Sequence, residues 1–217
     1  MLTNWLEATK EVRAVEWELD GRRVQLIDTP GFDDTVLSDT TILTTIAEWL
    51  KESYDDRCLL SGIIYLHRIS DPRMDPSSKK SLRMFRSLCG TGNLKNVILA
   101  TTMWEKTDEV DGQRREDELR NNFWKEMLSN KSELARISSD PEDGKRLIRN
   151  LLGNQPMVLQ LQDELSQGKS LSATDAGAEI REEMERLRIK LTQEITGARE
   201  ELQKFKNSKN SGILEVD

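Results

Sequence analysis

At residues 24–31 the chain reads Val24-Gln25-Leu26-Ile27-Asp28-Thr29-Pro30-Gly31, an apolar strand that ends in a carboxylate and a glycine-containing turn. The dipeptide Asp20-Gly21, a strong hairpin signal, precedes this strand, and residues 12–19 before it alternate between apolar and polar. The sequence therefore predicts a β-hairpin whose second strand carries Asp28 at its carboxyl end.

Helices and strands alternate through the next 120 or so residues. The apolar periodicity predicts helices over 39–54, 75–89, 113–128 and 142–152, and strands over 59–66, 96–101 and 134–138. The strand at 59–66 is almost continuously apolar, as is typical of a central strand covered on both faces. Such alternation predicts an α/β fold with a mainly parallel sheet, which the second hairpin strand joins and which binds ligands at the carboxyl ends of its strands.

The amino-acid composition excludes several classes of protein. Of the 217 residues, 36% are hydrophobic and 33% charged, which indicates a polar but globular chain, and the net charge of −7 argues against general nucleic-acid binding. The apolar stretches are too short to span a bilayer, and no signal-peptide pattern opens the chain, so we expect a cytoplasmic protein. Cys58 and Cys89 lack metal-ligand spacing and are predicted to be buried thiols.

Asp28 and Gly31 have the spacing of a nucleotide-hydrolysing site. There, a carboxylate at a strand end holds Mg²⁺, commonly through water, and the backbone N–H of a glycine three residues later turns toward a terminal phosphate. The competing interpretation is a plain turn, because Asp, Pro and Gly all favour turns. The position of the motif at the end of this strand favours the nucleotide site.

A resemblance to a known family supports that interpretation. Residues 28–32, Asp-Thr-Pro-Gly-Phe, resemble the third G motif (DTxG) of the GTPases related to septins and to the AIG1/Toc proteins. Residues 62–74 resemble a group of G-domain proteins found mostly in fungi. The resemblance covers about residues 9–170 and implies a P-loop NTPase-type three-layer sandwich, truncated at its N-terminus, that binds GTP or GDP with Mg²⁺.

Two windows could supply the motif N/T-K-x-D, with which G proteins recognise guanine. Residues 105–108, Glu-Lys-Thr-Asp, match it better by letter, but the spacing from the preceding strand favours residues 102–105. In that register Thr102 takes the Asn/Thr position, Met103 replaces the lysine, and Glu105 replaces the aspartate that pairs with the base. The alternative is a strand end with a buried tryptophan.

Fewer residues indicate the rest of the site. Ser138 is the candidate for the fifth motif, although serines before an acidic helix start are also common N-caps. Phe32 occupies the position where many G proteins carry a water-orienting glutamine, so we expect a weak or partner-stimulated GTPase and assign no catalytic residue. His67, the sole histidine, ends the central strand and is expected to have a structural role more readily than a catalytic one.

The phosphate-binding loop G-x-x-x-x-G-K-[ST] does not occur in the sequence. Only 27 residues precede Asp28, and a strand, loop and helix together need on the order of 30 beyond the hairpin. By the resemblance, Thr9 occupies the position of the switch threonine that contacts Mg²⁺. We therefore expect either an incomplete GTPase with impaired nucleotide binding or a nucleotide-free relative that serves as an interaction module.

The C-terminal part has a different pattern. Residues 1–153 are expected to form the partial G domain, 154–175 a linker with a short helix, 176–206 an amphipathic or coiled-coil helix, and 207–217 a loose tail. Apolar residues recur every three or four positions from Ile180 to Phe205. This stripe needs a partner surface, either the domain itself or a second copy of the chain, and homo-oligomers through the G domain or this helix are both consistent with it.

Overall fold

A tight β-hairpin opens the fold. The computed structural model describes residues 11–32 and 37–211. In it, β1 (Arg13–Leu19) pairs antiparallel with β2 (Arg22–Asp28). The turn residues Asp20 and Gly21 have φ angles of 51° and 74°, the paired positive values that suit Asp-Gly in a two-residue hairpin turn. The predicted hairpin is confirmed.

The following elements alternate as the sequence predicts. They are α1 (Asp39–Asp55), β3 (Ile63–Arg68), α2 (Pro76–Cys89), β4 (Val97–Thr102), α3 (Glu109–Glu118), α4 (Lys125–Ser129), β5 (Glu133–Arg136), α5 (Pro141–Leu152), α6 (Gln160–Ser166), α7 (Asp175–Ala178) and α8 (Arg181–Ser211). A turn of π-helix joins α3 to α4. The helix predicted from residue 113 already begins at Glu109, because Asp108 caps it there.

The strands form two sheets. β3, β4 and β5 make a parallel sheet in that order, whereas β1 and β2 make a sheet of their own. The predictions that β2 joins the parallel sheet and that β3 is a central strand are therefore wrong. Within the described residues β3 pairs with β4 along one side alone, so it is an edge strand, and Leu66 is 59% exposed.

Helices cover both faces of the parallel sheet. On one face, Ile98 and Ala100 of β4 pack against Leu147 and Leu151 of α5. On the other face, the Tyr65 ring of β3 lies 4.8 Å, centroid to centroid, from the Phe85 ring of α2. The three layers predicted from the sequence are therefore present.

Side-chain caps determine where several helices begin. Ser38 accepts a hydrogen bond from the Thr41 N–H and caps α1. Asp75 caps α2 by accepting from the Ser78 N–H, and this hydrogen bond lowers the pKa of Asp75. The caps place both helix starts just after the strand or turn that leads into them.

Residues 155–158 run along the amino ends of the parallel strands. The Met157 N–H donates to the Leu60 carbonyl at 2.9 Å, and Asn96 Nδ2 donates to the carbonyls of Ser61 and Gln155. α6 then packs against α1 and α2. Of the described residues, those up to Glu179 form one compact unit, and those from Ile180 to Ser211 form a second.

The second unit is the long helix α8. Its apolar side chains at Ile189, Leu191, Ile195 and Leu202 are each about half exposed. The predicted amphipathic helix is confirmed in its helical conformation. From residue 11 to 32 and from 37 to 211, every helix is too short or too polar to traverse a lipid bilayer.

The two cysteines differ in environment. Cys89 is fully buried, which raises the pKa of its thiol. Cys58 is exposed, so the prediction that both are buried is wrong for Cys58. It follows the C-terminal end of α1, where the chain turns at Arg57 with a positive φ of 59° before entering the sheet.

Candidate functional site

The carboxyl ends of the three parallel strands meet at one rim. The Ile69 N–H, just after β3, donates to the Thr102 carbonyl at 2.9 Å, and the Ile137 N–H, just after β5, donates to the Thr101 carbonyl at the same distance. The loops that leave these strands therefore start side by side. Ligands of parallel α/β sheets bind at this end.

A sharp backbone turn follows β4. Met103 has φ 61° and ψ 34°, a left-handed conformation that is uncommon for a residue other than Gly, Asn or Asp. The turn leads directly into a short 3₁₀ helix, Trp104–Lys106, that carries Glu105 on its exposed side. Met103 itself is half-buried. Two of the residues predicted to recognise the base thus lie on a turn held at the rim, immediately after the third, Thr102.

The acidic residue that ends the second candidate window has a capping role. The Asp108 carboxylate is engaged as the N-cap of α3, where it accepts from the N–H groups of Val110 at 2.9 Å and Asp111 at 3.4 Å. Both of these hydrogen bonds end on Oδ1 of Asp108. Glu105 and Asp108 are both exposed, so the window at residues 102–105 stays a prediction.

Ser138 is tied to the helix that follows it. Its hydroxyl lies 2.6 Å from Asp143 Oδ2, and its N–H donates to the same oxygen at 3.0 Å, which lowers the pKa of Asp143. The Ser138 hydroxyl also accepts from the Asp140 N–H at 3.1 Å. The N-cap of α5 is Asp140, which accepts from the Glu142 N–H, so Ser138 is not the capping residue. A role for Ser138 in the fifth motif stays a prediction.

A cluster behind the 3₁₀ helix had no counterpart among the predicted residues. The Arg136 guanidinium carbon lies 3.8 Å from the centroid of the Trp104 ring. Arg136 also donates to both oxygens of Glu116, at 3.0 Å and 2.7 Å, and Glu116 is 3% exposed. This hydrogen-bonded pair raises the pKa of Arg136. An arginine two residues before the predicted fifth-motif serine was the available sequence signal.

The Asp28–Phe32 segment is anchored to α2. Ser81 of α2 donates to the Phe32 carbonyl at 3.3 Å, and Lys80 forms an ion pair of 2.7 Å with Asp39 at the start of α1. Because α2 starts shortly after β3 ends, these contacts place the segment near the carboxyl end of β3. Asp28 is exposed at the end of β2.

Gly31 does not need to be glycine in this conformation. A Cβ built on it would meet no atom within 4 Å, and its φ is not among the positive values of the described glycines. Neither the surroundings of Gly31 nor its φ therefore requires glycine. Glycine would be required if a phosphate approached the Gly31 N–H closely.

Asp28 could hold Mg²⁺ only together with other ligands. Thr9, the second predicted metal ligand, lies outside the described residues. Across residues 11–32 and 37–211, no three His, Cys, Asp or Glu side chains cluster as metal ligands would. One exposed carboxylate fits a magnesium ion that takes its remaining ligands from water and nucleotide phosphates, as this cation commonly does.

His67 has a packing role in the structure. Its ring lies edge-on to the buried Trp124 ring, with the centroids 6.0 Å apart. It also lines a cavity of about 10 Å³, close to the space of one water molecule, beside Arg115 and Phe123. This environment agrees with the structural role expected for His67.

A larger cleft lies at the opposite end of the strands. It has a volume of about 590 Å³ and is lined by residues 90–93, by Tyr54 of α1 and by α6. The glycine pair Gly90 and Gly92 belongs to this cleft, before β4 begins, and not to the rim. Glycine spacing at this position therefore carries no implication for the predicted nucleotide site.

The order of strands and helices, with the sheet covered on both faces, is that of the P-loop GTPase fold. Similar solved structures include Toc33 from Arabidopsis thaliana in complex with GDP and Mg²⁺, with a TM-score of 0.55, 15% identity, and 69% of this chain and 73% of that chain covered. The same protein with Mg²⁺ and GMPPNP gives a TM-score of 0.50 and 12% identity over 76% of this chain and 75% of that one.

A further structure, of the chloroplast translocon components atToc33 and psToc159, was solved in work reporting that dimerisation is important for their GTPase activity. It gives a TM-score of 0.50 and 15% identity, over 69% of this chain and 71% of that one. No protein-family model matches the sequence, and no curated protein sequence matches it. The likeness thus shows the fold.

Proposed function

We propose that this chain binds guanine nucleotide and that its base-recognition segment is Thr102, Met103 and Glu105. The observation that carries the proposal is the left-handed turn at Met103, which sets Glu105 at the rim where three strand ends meet. Strained backbone in a residue of this kind is concentrated at binding and catalytic sites. The similar fold of Toc33 bound to GDP and Mg²⁺ supports the same assignment.

In this proposal each predicted site residue has a distinct task. Glu105 accepts hydrogen bonds from the guanine base, and Met103 covers one face of the base with an apolar side chain. Asp28 binds Mg²⁺ through water, and Gly31 offers its N–H to the terminal phosphate. Thr9 would add a ligand to Mg²⁺, and Ser138 would border the base. Residues 62–74 further support a relationship to the mostly fungal G-domain group.

Nucleotide affinity is proposed to be far below that of a complete G domain. The sequence contains no phosphate-binding loop, and such a loop supplies most of the contacts to the β- and γ-phosphates. Hydrolysis is proposed to be slow or to need a partner, because Phe32 cannot orient a water molecule. Submicromolar binding of a fluorescent GDP, or rapid single-turnover hydrolysis of GTP by the monomer, would contradict these two statements.

Replacement of Glu105 by glutamine tests the base assignment. We expect Glu105→Gln to weaken GDP binding about tenfold, because one of two hydrogen bonds to a charged acceptor is lost. The matched control is Asp108→Asn, since asparagine caps a helix as well as aspartate does. The measurement is equilibrium titration of fluorescent GDP, with competition by ADP. If Asp108→Asn weakens binding and Glu105→Gln does not, the other window recognises the base.

A second candidate function is that of an interaction module without nucleotide. The half-exposed apolar residues of α8 favour it, because an exposed apolar stripe needs a partner surface. We expect Leu191→Glu together with Ile195→Glu to reduce the sedimentation coefficient of a self-associating chain to that of the monomer. The control replaces the exposed Lys190 and Glu194 by alanine. An unchanged oligomeric state in the glutamate variant would exclude self-association through this helix.

A further inference from the structure

The indole of Trp104 is the element through which the 3₁₀ helix at the rim is held. Trp104 begins that helix, one residue after the turn at Met103 and one before Glu105. Its Nε1–H donates to Thr101 Oγ1 at 3.0 Å, and Thr101 is fully buried in β4. A fixed indole therefore fixes the start of the segment that carries Glu105.

Helix α3 closes on the ring at Gly112. A Cβ built on Gly112 would lie 2.7 Å from Cζ3 and 3.1 Å from Cε3 of Trp104, so the ring approaches the helix backbone as closely as a glycine permits. The absence of a side chain here lets α3 serve as one wall of the indole site. The ring thus has a buried hydroxyl at its nitrogen and a helix at its edge.

Arg136 covers the face of the same ring. Its guanidinium carbon lies 3.8 Å from the ring centroid, well within the range of a cation–π contact. The guanidinium itself is held in place from α3, by both oxygens of the buried Glu116 and by Gln113 Oε1 at 2.5 Å. A planar fork bound to two carboxylate oxygens has a fixed orientation, which lysine cannot reproduce.

We propose that Arg136 is a positioning residue for base recognition, which acts through Trp104 on the segment 102–105. That this segment recognises the base rests on the proposed function. Arg136 is the last residue of β5, so one guanidinium joins the ends of β4 and β5 to α3. The Arg136 side chain donates its hydrogen bonds to α3. It therefore affects nucleotide binding indirectly, by fixing the shape of the rim.

The test compares Arg136→Lys with Arg149→Lys in the full chain. Arg149 is a matched control, because its side chain is 41% exposed against 39% for Arg136 and it also donates two hydrogen bonds to one carboxylate, that of Asp20. Two measurements are made on each variant: hydrogen exchange of the Lys106 and Thr107 amides, and the ratio of GDP to ADP affinity. These amides donate to the Met103 and Trp104 carbonyls and so report on the 3₁₀ helix.

We expect Arg136→Lys to speed exchange of both amides about tenfold and to reduce the GDP-to-ADP affinity ratio about tenfold, with Arg149→Lys changing neither. Unchanged exchange in Arg136→Lys overturns the proposal, as does an equal effect of Arg149→Lys. Faster exchange with an unchanged affinity ratio overturns the link to the base. If the unsubstituted chain binds neither nucleotide, the proposed function fails, while the exchange comparison still decides whether Arg136 positions the segment.

Discussion

Arg136→Ala is expected to lower the free energy of unfolding by about 3 kcal/mol, the low end of the range for breaking a buried ion pair because Arg136 is itself partly solvated. The loss arises at Glu116, whose side chain is 4% exposed and would lose the positive charge of its guanidinium partner. Thr101 Oγ1, at 3.3 Å from Glu116 Oε1, cannot replace that charge. Urea unfolding followed by tryptophan fluorescence measures the change.

Two variants show where the loss comes from. Adding Glu116→Gln to Arg136→Ala is expected to restore a large part of the stability, because the second substitution removes the buried charge. Arg149→Ala is expected to have a much smaller effect, since its partner Asp20 is 58% exposed and remains hydrated. Equal losses in Arg136→Ala and Arg149→Ala would show that the burial of Glu116 is not the cause.

Trp124→Ala is expected to lower the free energy of unfolding by about 4 kcal/mol. Trp124 is completely buried, and its ring lies edge-on to the rings of Tyr65 and His67 on the face of β3. Alanine would leave a cavity between β3 and the π-helical turn before α4. Urea unfolding measures this change, and the fluorescence of the remaining tryptophans serves as the signal.

Trp124→Phe is the control for that cavity. We expect it to cost about 1 kcal/mol, because phenylalanine keeps a ring at the site and removes an N–H that has no hydrogen-bond partner among the described residues. A loss as large as that of the alanine variant would mean that the indole nitrogen makes an essential bond. The stability contributed by Trp124 would then come from its nitrogen and not from the packing of its ring.

Local patterns were sufficient to predict most elements. The hairpin, the helices α1, α2 and α5, and the strand β4 follow from periodicity, caps and turn residues that lie within a few positions of one another. The separation of β2 from β3 could not be predicted in this way. The arrangement of the whole sheet decides which strand edges pair. The residue types within Ile63–Arg68 do not indicate that pairing.

Some of the residues at the rim could be predicted from local sequence, and others could not. Thr102, Met103 and Glu105 follow from their register after β4, and the structure places them on one turn. The competing Asp108 matched the motif by letter, but its carboxylate caps a helix, a use that becomes evident once the start of α3 is known. Arg136 and Glu116 are 20 positions apart, so nothing in the sequence between them indicates their contact.

The left-handed Met103 makes the rim preorganised. A residue with a Cβ in this conformation is less stable than glycine by about 1–2 kcal/mol, so the fold must enforce the turn in the absence of any ligand. The conformational entropy of the segment is then lost when the chain folds and not when a ligand binds. A ligand complementary to this segment would bind without having to order its backbone first.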